Sequence, residues 1–110
     1  MAVTTKIEAG RPVATLINVF TVVPERQAEL VALLSRATEE TMKDRPGFVS
    51  ANIHASADGE RVVNYAQWES EEHFRAMLAD PAAREHMTRA AELAEGFDPR
   101  MYAVECIHHA

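Results

Sequence analysis

The chain has 110 residues, 47% of them hydrophobic and 25% charged, with a formal net charge of −6 and a single cysteine. This describes one domain with material for one core, too acidic for a general nucleic-acid binder and without an internal disulfide. No apolar run approaches the roughly 20 residues of a membrane helix. The first twelve residues contain no apolar signal core and read as a flexible lead-in, not a signal peptide, so the domain is expected to run over 13–110 in a cytoplasmic protein.

Ala14 to Val22 is β-rich and apolar on both faces, with Ala14, Leu16, Asn18, Phe20 and Val22 alternating with Thr15, Ile17, Val19 and Thr21. Pro24 and Glu25 suit a first helical turn. Leu30, Leu34, Ala37 and Thr41 then recur at helical spacing, with Val31 and Met42 beside them, until Pro46-Gly47 stops the helix. Phe48 to Ala55 reads as a second strand, and Asp58-Gly59 as the turn into a third, Val62 to Trp68. Ser70 is a good N-cap for a helix whose apolar face is Phe74, Met77 and Leu78. Asp80-Pro81 ends that helix and opens another, striped by Met87, Ala90, Ala91 and Ala94, with Gly96 as its C′ residue. Arg100 to His108 reads as the closing strand, with Cys106 buried in it as an inert thiol.

The order β-α-β-β-α-α-β is the split βαβ pattern of an α+β, ferredoxin-like fold: an antiparallel sheet with helices on one face. The other face would carry Ile17, Val19, Val49, Ile53, Val63 and Tyr65. Such a patch is unusual on a monomer, so a homodimer packed sheet to sheet is expected.

Asn64 and Trp68 share one face of the third strand, roughly 13 Å apart along the chain, so both can border one cavity. An amide buried on a strand without partners costs roughly 1–3 kcal/mol, which makes Asn18 and Asn64 hard to explain as packing. The plainer alternative is that each bonds a loop carbonyl or a water. Trp68 alone reads as core. By parity His54 shares a face with Ser50 and Asn52, and imidazole exchanges protons near neutral pH. His73, His86, His108 and His109 show no metal-ligand spacing.

The segments INVFTVVPERQAEL, RPGFVSANIHASADG and VVNYAQWESEEHF, with the late DP…Y segment, resemble the antibiotic biosynthesis monooxygenase family of small dimeric α+β barrels. H-x-S-x-D-G followed by V-x-N-Y-x-x-W is the most specific part. The resemblance implies an oxygenase with no metal, flavin or haem cofactor, which takes an anthrone, naphthacenone or hydroxyarene and O₂ to a quinone. It implies catalytic roles for Asn18, Asn64, Trp68 and His54, with Phe20, Phe74, Met77 and Met87 binding substrate. Phe74 replaces a tyrosine, and Met87 an arginine, of one branch, so that branch's acid–base scheme does not carry over. A non-enzymatic ligand-binding or stress-response barrel and a polyketide cyclase remain open on the same fold. Haem degradation ranks lower. Its relatives carry a tryptophan at Met77 and a histidine near Met87, and His86 is expected to be turned away by one helical step.

Overall fold

A computed structural model describes residues 2–110. Its elements are β1 (Ala14–Thr21), α1 (Pro24–Ala37), β2 (Phe48–Ala55), β3 (Arg61–Trp68), α2 (Glu71–Leu78), α3 (Pro81–Leu93) and β4 (Gly96–Tyr102). The strands form one antiparallel sheet in the order β2-β3-β1-β4. This is the ferredoxin-like α+β fold that the order of elements predicts. No helix is long and apolar enough to cross a membrane among the described residues.

Local chemistry explains where the elements start and stop. The Ser70 hydroxyl accepts from the His73 backbone N–H at 3.1 Å, and the Asp80 carboxylate accepts from that of Ala82 at 2.9 Å, so both predicted caps are in place. Asp80 also takes a bond from the Arg45 guanidinium at 2.9 Å, which ties the loop before β2 to the start of α3. Helix α1 does not stop cleanly but widens into a π-helical turn, Thr38–Met42, where the Thr38 hydroxyl donates to the Leu34 carbonyl at 2.8 Å. Gly47 then takes φ +84°, a left-handed conformation, and a side chain there would run into the His73 ring.

Two hydrophobic clusters lie between sheet and helices. Phe20, Val22, Leu30, Leu33, Val62 and Ala90 form one. Trp68, Met77 and Ala83 form the other, with Phe48 and Phe74 edge-on to the indole at centroid distances of 5.4 and 6.2 Å.

Two expectations need correction. The last strand is Gly96–Tyr102, not Arg100–His108. The Glu95 N–H already bonds the Thr21 carbonyl at 2.8 Å, so Gly96 opens the strand instead of capping α3. Pro99 fits within it because β4 is an edge strand, where one missing N–H is tolerated. Cys106 therefore lies beyond the sheet and is exposed, not buried.

The second correction concerns β2. Its register against β3 slips between Phe48 and Ser50, so Val49 is an extra, exposed residue. Phe48 faces the helices opposite Trp68. Beyond the bulge Ala51 and Ile53 face inward, while Ser50, Asn52 and His54 sit opposite Gln67, Tyr65 and Val63 on the outer face. The half-buried outer apolar residues are thus Ile17, Val19, Val63 and Tyr65, without Ile53. They are joined by a buried Ser50–Gln67 hydrogen bond of 2.7 Å and by Asn52, which accepts from the Thr5 hydroxyl at 2.6 Å. The N-terminal segment therefore touches this face.

Candidate active site

A cavity of about 280 Å³ lies between the sheet and the helical layer. Its volume is near the lower end of the roughly 300–1,000 Å³ of small-molecule sites. The β strands supply its floor. Alternation on β1 brings Leu16, Asn18 and Phe20 to this face, and alternation on β3 brings Asn64, Ala66 and Trp68. Helices α2 and α3 supply Phe74, Met77 and Met87. Asn18, Asn64, Trp68, Phe20, Phe74, Met77 and Met87 are therefore gathered around one space, as the sequence predicts.

Asn18 and Asn64 are direct partners in the β1–β3 register. The side-chain carbonyl Oδ1 of each is shut from solvent and has no hydrogen-bond partner. The alternative in which each amide is satisfied by the protein's own backbone is not what the chain does. A primary amide offers an acceptor at one end and donors at the other. Two of them side by side can accept from a phenolic hydroxyl or donate to the oxyanion it becomes, without titrating themselves.

Trp68 is 2% exposed and held by Phe48 and Phe74, so it is a rigid wall of the cavity as well as core. Phe74 carries no hydroxyl and its position offers only ring contact. His54 does not join this group. It is exposed on the outer face, and its Nδ1 lies 3.2 Å from the Asn52 carbonyl. His54 does share a face with Ser50 and Asn52, as parity predicts, but the bulge at Val49 turns that face outward, away from the pocket position that the resemblance implies.

The residue that sequence reasoning set aside is His86. It lines the cavity beside Met87, and its Nδ1 is buried without a partner. One helical step does not turn it away, because the cavity face of α3 is wide enough to include both residues. The signal was available: His86 stands three residues after Ala83 and four before Ala90, and both alanines are buried. Thr38 and Met42 of the π-helical turn and Phe97 and Pro99 of β4 also reach the cavity. Among the described residues, no group of three or more His, Cys, Asp or Glu side chains is placed to hold a metal ion.

Comparison with known proteins agrees with this fold. The family model of the antibiotic biosynthesis monooxygenases matches residues 14–89. Tetracenomycin-F1 monooxygenase of Streptomyces glaucescens is 58% identical over 72 residues, which are 66% of this chain and 64% of that relative, so the chain matches less than two thirds of the relative's length. The monooxygenase ActVA-Orf6 of Streptomyces coelicolor, solved with nanaomycin D, superposes with a TM-score of 0.78 at 32% identity, over 91% of this chain and 93% of that one. SnoaB, a cofactor-independent oxygenase of Streptomyces nogalater, superposes with a TM-score of 0.75 at 25% identity, over 87% and 96% of the two chains. Matched in sequence and fold over most of its length, the chain belongs to the antibiotic biosynthesis monooxygenase family.

Proposed function

We propose that this protein is a cofactor-independent monooxygenase that converts the CH₂ or ring C–H of an anthrone, naphthacenone or hydroxyarene of polyketide type to a quinone carbonyl, with O₂ as oxidant. The observation that carries the reading is the opposed pair Asn18–Asn64, two unsatisfied amides in an apolar cavity beside Trp68. The names of the relatives support the same substrate class.

The reducing electrons come from the substrate. Loss of a proton gives an enolate or phenolate, which passes one electron to O₂. The resulting radical and superoxide join at carbon as a peroxide. Loss of the carbon-bound hydrogen with cleavage of the O–O bond leaves the carbonyl, and the second oxygen atom departs as water. The protein's share is orientation and charge. Phe20, Phe74, Met77, Met87 and Trp68 hold a flat guest and keep water away. The amides of Asn18 and Asn64 donate to its oxygen as negative charge grows there, which preorganised dipoles do at little cost in reorganisation.

We place the protein as a homodimer that pairs through the outer sheet face, where Ile17, Val19, Val63 and Tyr65 are only half-buried in one chain. A cytoplasmic location suits the exposed thiol of Cys106. Oxygen uptake with dithranol, a simple anthrone, tests the activity. One O₂ consumed per quinone formed supports the reading. A cyclised product formed without oxygen consumption identifies a cyclase, and saturable binding without turnover identifies a ligand-binding barrel.

A further inference from the structure

The reaction proposed above begins with removal of a proton, and an amide cannot accept one. Among the described residues that line the cavity, only His86 and Arg100 are ionisable. The Arg100 guanidinium donates to both Asp98 carboxylate oxygens, at 3.1 and 3.2 Å, and this pairing raises its pKa further above the ordinary value. It is a fixed cation and no base. The other packing elements present no charged side chain to the cavity: α1 and its π-helical turn bring Leu34, Ala37, Thr38 and Met42, and α2 brings Phe74, Met77 and Leu78. Strands β1, β2 and β3 bring only uncharged residues, Asn18 and Asn64 among them.

The remaining histidines are engaged or remote. The Nδ1 of His73 lies 2.7 Å from the Ser70 hydroxyl and that of His54 lies 3.2 Å from the Asn52 carbonyl. His108 and His109 are exposed in the C-terminal segment. His86 differs from all of them, since its Nδ1 is withdrawn from solvent yet bonded to nothing. A buried polar atom left in that state costs roughly 1–3 kcal/mol, and a turn of the ring would bring it to a guest hydroxyl in the cavity that His86 lines.

We propose that His86 is the general base of this site. The reading rests on the oxygenase activity proposed above. The enolic or phenolic O–H bond of the substrate breaks and an N–H bond forms at the neutral imidazole, while the electron pair stays on substrate oxygen, between the amides of Asn18 and Asn64. After O₂ has added at carbon, the imidazolium returns its proton to the peroxide anion. The imidazole then takes the carbon-bound hydrogen as a proton as the O–O bond breaks. The hydroxide released collects that proton, so one water leaves and the histidine is neutral again. His86 ends as it began, and the only external reactant is O₂.

Two measurements on the full chain test this. In the first, dithranol-dependent oxygen uptake is followed across pH for wild type, His86→Gln and His86→Ala. For a general base, His86→Gln lowers kcat by roughly 10²–10⁴-fold with KM little changed, and it abolishes the acid limb of the rate profile. Added imidazole restores part of the rate to His86→Ala but not to His86→Gln. A His86→Gln variant that keeps the wild-type rate, or loses rate with an unaltered pH profile, overturns the assignment. In the second, the His86 ring nitrogens are observed by NMR while 1,8-dihydroxyanthraquinone, which cannot be oxidised in this way, is added. A shift of the His86 resonances supports contact with the guest, and unmoved resonances at saturation overturn it. Wild type that takes up no oxygen defeats the oxygenase reading itself. The ring resonances then still report whether His86 meets the guest.

Discussion

Asn18 and Asn64 stand opposite each other across the β1–β3 ladder, each with a side-chain carbonyl that nothing among the described residues satisfies. The arrangement is unfavourable for stability and useful for recognition. Replacing Asn64 or Asn18 by alanine is expected to lower turnover by about 10²–10³-fold, the usual loss for one oxyanion donor. The same variants should melt no lower than wild type, because an unpaired buried acceptor is removed. Melting curves alongside oxygen uptake check the prediction, and a loss of stability parallel to the loss of rate would contradict it.

Trp68 needs a gentler substitution. It is nearly fully buried between Phe48 and Phe74, so Trp68→Ala should cost about 3–5 kcal/mol and confuse folding with catalysis. Trp68→Phe keeps an aromatic wall and removes the indole N–H. Turnover lost in Trp68→Phe, with the fold intact by near-UV circular dichroism, assigns the N–H a part in the reaction. Unchanged turnover leaves the ring as a wall only.

Gly47 is the point where backbone geometry and packing coincide. Its φ of +84° is costly for any residue with a side chain, and a Cβ there would collide with Cγ of His73. Gly47→Ala should lose at least about 2 kcal/mol of stability, from the left-handed backbone together with the clash. His73→Ala removes the ring but leaves its own Cβ in the way, so the double variant should recover only part of the clash component, which chemical denaturation of the single and double variants can measure.

Asp58 ties the β2–β3 turn. Its carboxylate accepts from the Glu60 N–H at 2.9 Å and from the Ser56 hydroxyl at 2.7 Å, and these bonds hold its pKa below the ordinary carboxylate value. A pKa lowered by folding contributes stability that is complete above the unfolded-state value and disappears as pH falls through the folded one. Stability should therefore decline on acidification through that window, and Asp58→Ala should show a smaller decline. The group is fully exposed, so the difference is modest.

Asp80 has two roles that substitution can separate. Asp80→Asn keeps a cap acceptor for Ala82 but weakens the bond to Arg45, whereas Asp80→Ala removes both. Asp80→Ala should cost about 1–2 kcal/mol and Asp80→Asn clearly less, by equilibrium unfolding.

What could be read without coordinates follows from period and local chemistry. Alternation along Val62–Trp68 placed Asn64 and Trp68 on one face, and the caps at Ser70 and Asp80 needed only their own sequence neighbours. His54 was misplaced because the bulge at Val49 has no glycine or other residue to announce it, and one inserted residue reverses every side chain beyond it. The last strand was shifted because Gly96 and Pro99 are common breakers, and only the pairing with β1 shows that both are accommodated. His86 was missed for a different reason. Its helical spacing is visible, but a histidine without metal-ligand spacing looks the same in sequence whether it borders a cavity or solvent.

Pro99 sits on the outermost strand, in register with Asn18, and has no N–H to offer. A foreign strand arriving at that border would meet an interrupted row of donors, flanked by the charges of Asp98 and Arg100. The apolar cavity thus lies behind a margin that discourages fibre growth, and the chain can keep an apolar interior open to guests without inviting its own kind to stack edge to edge.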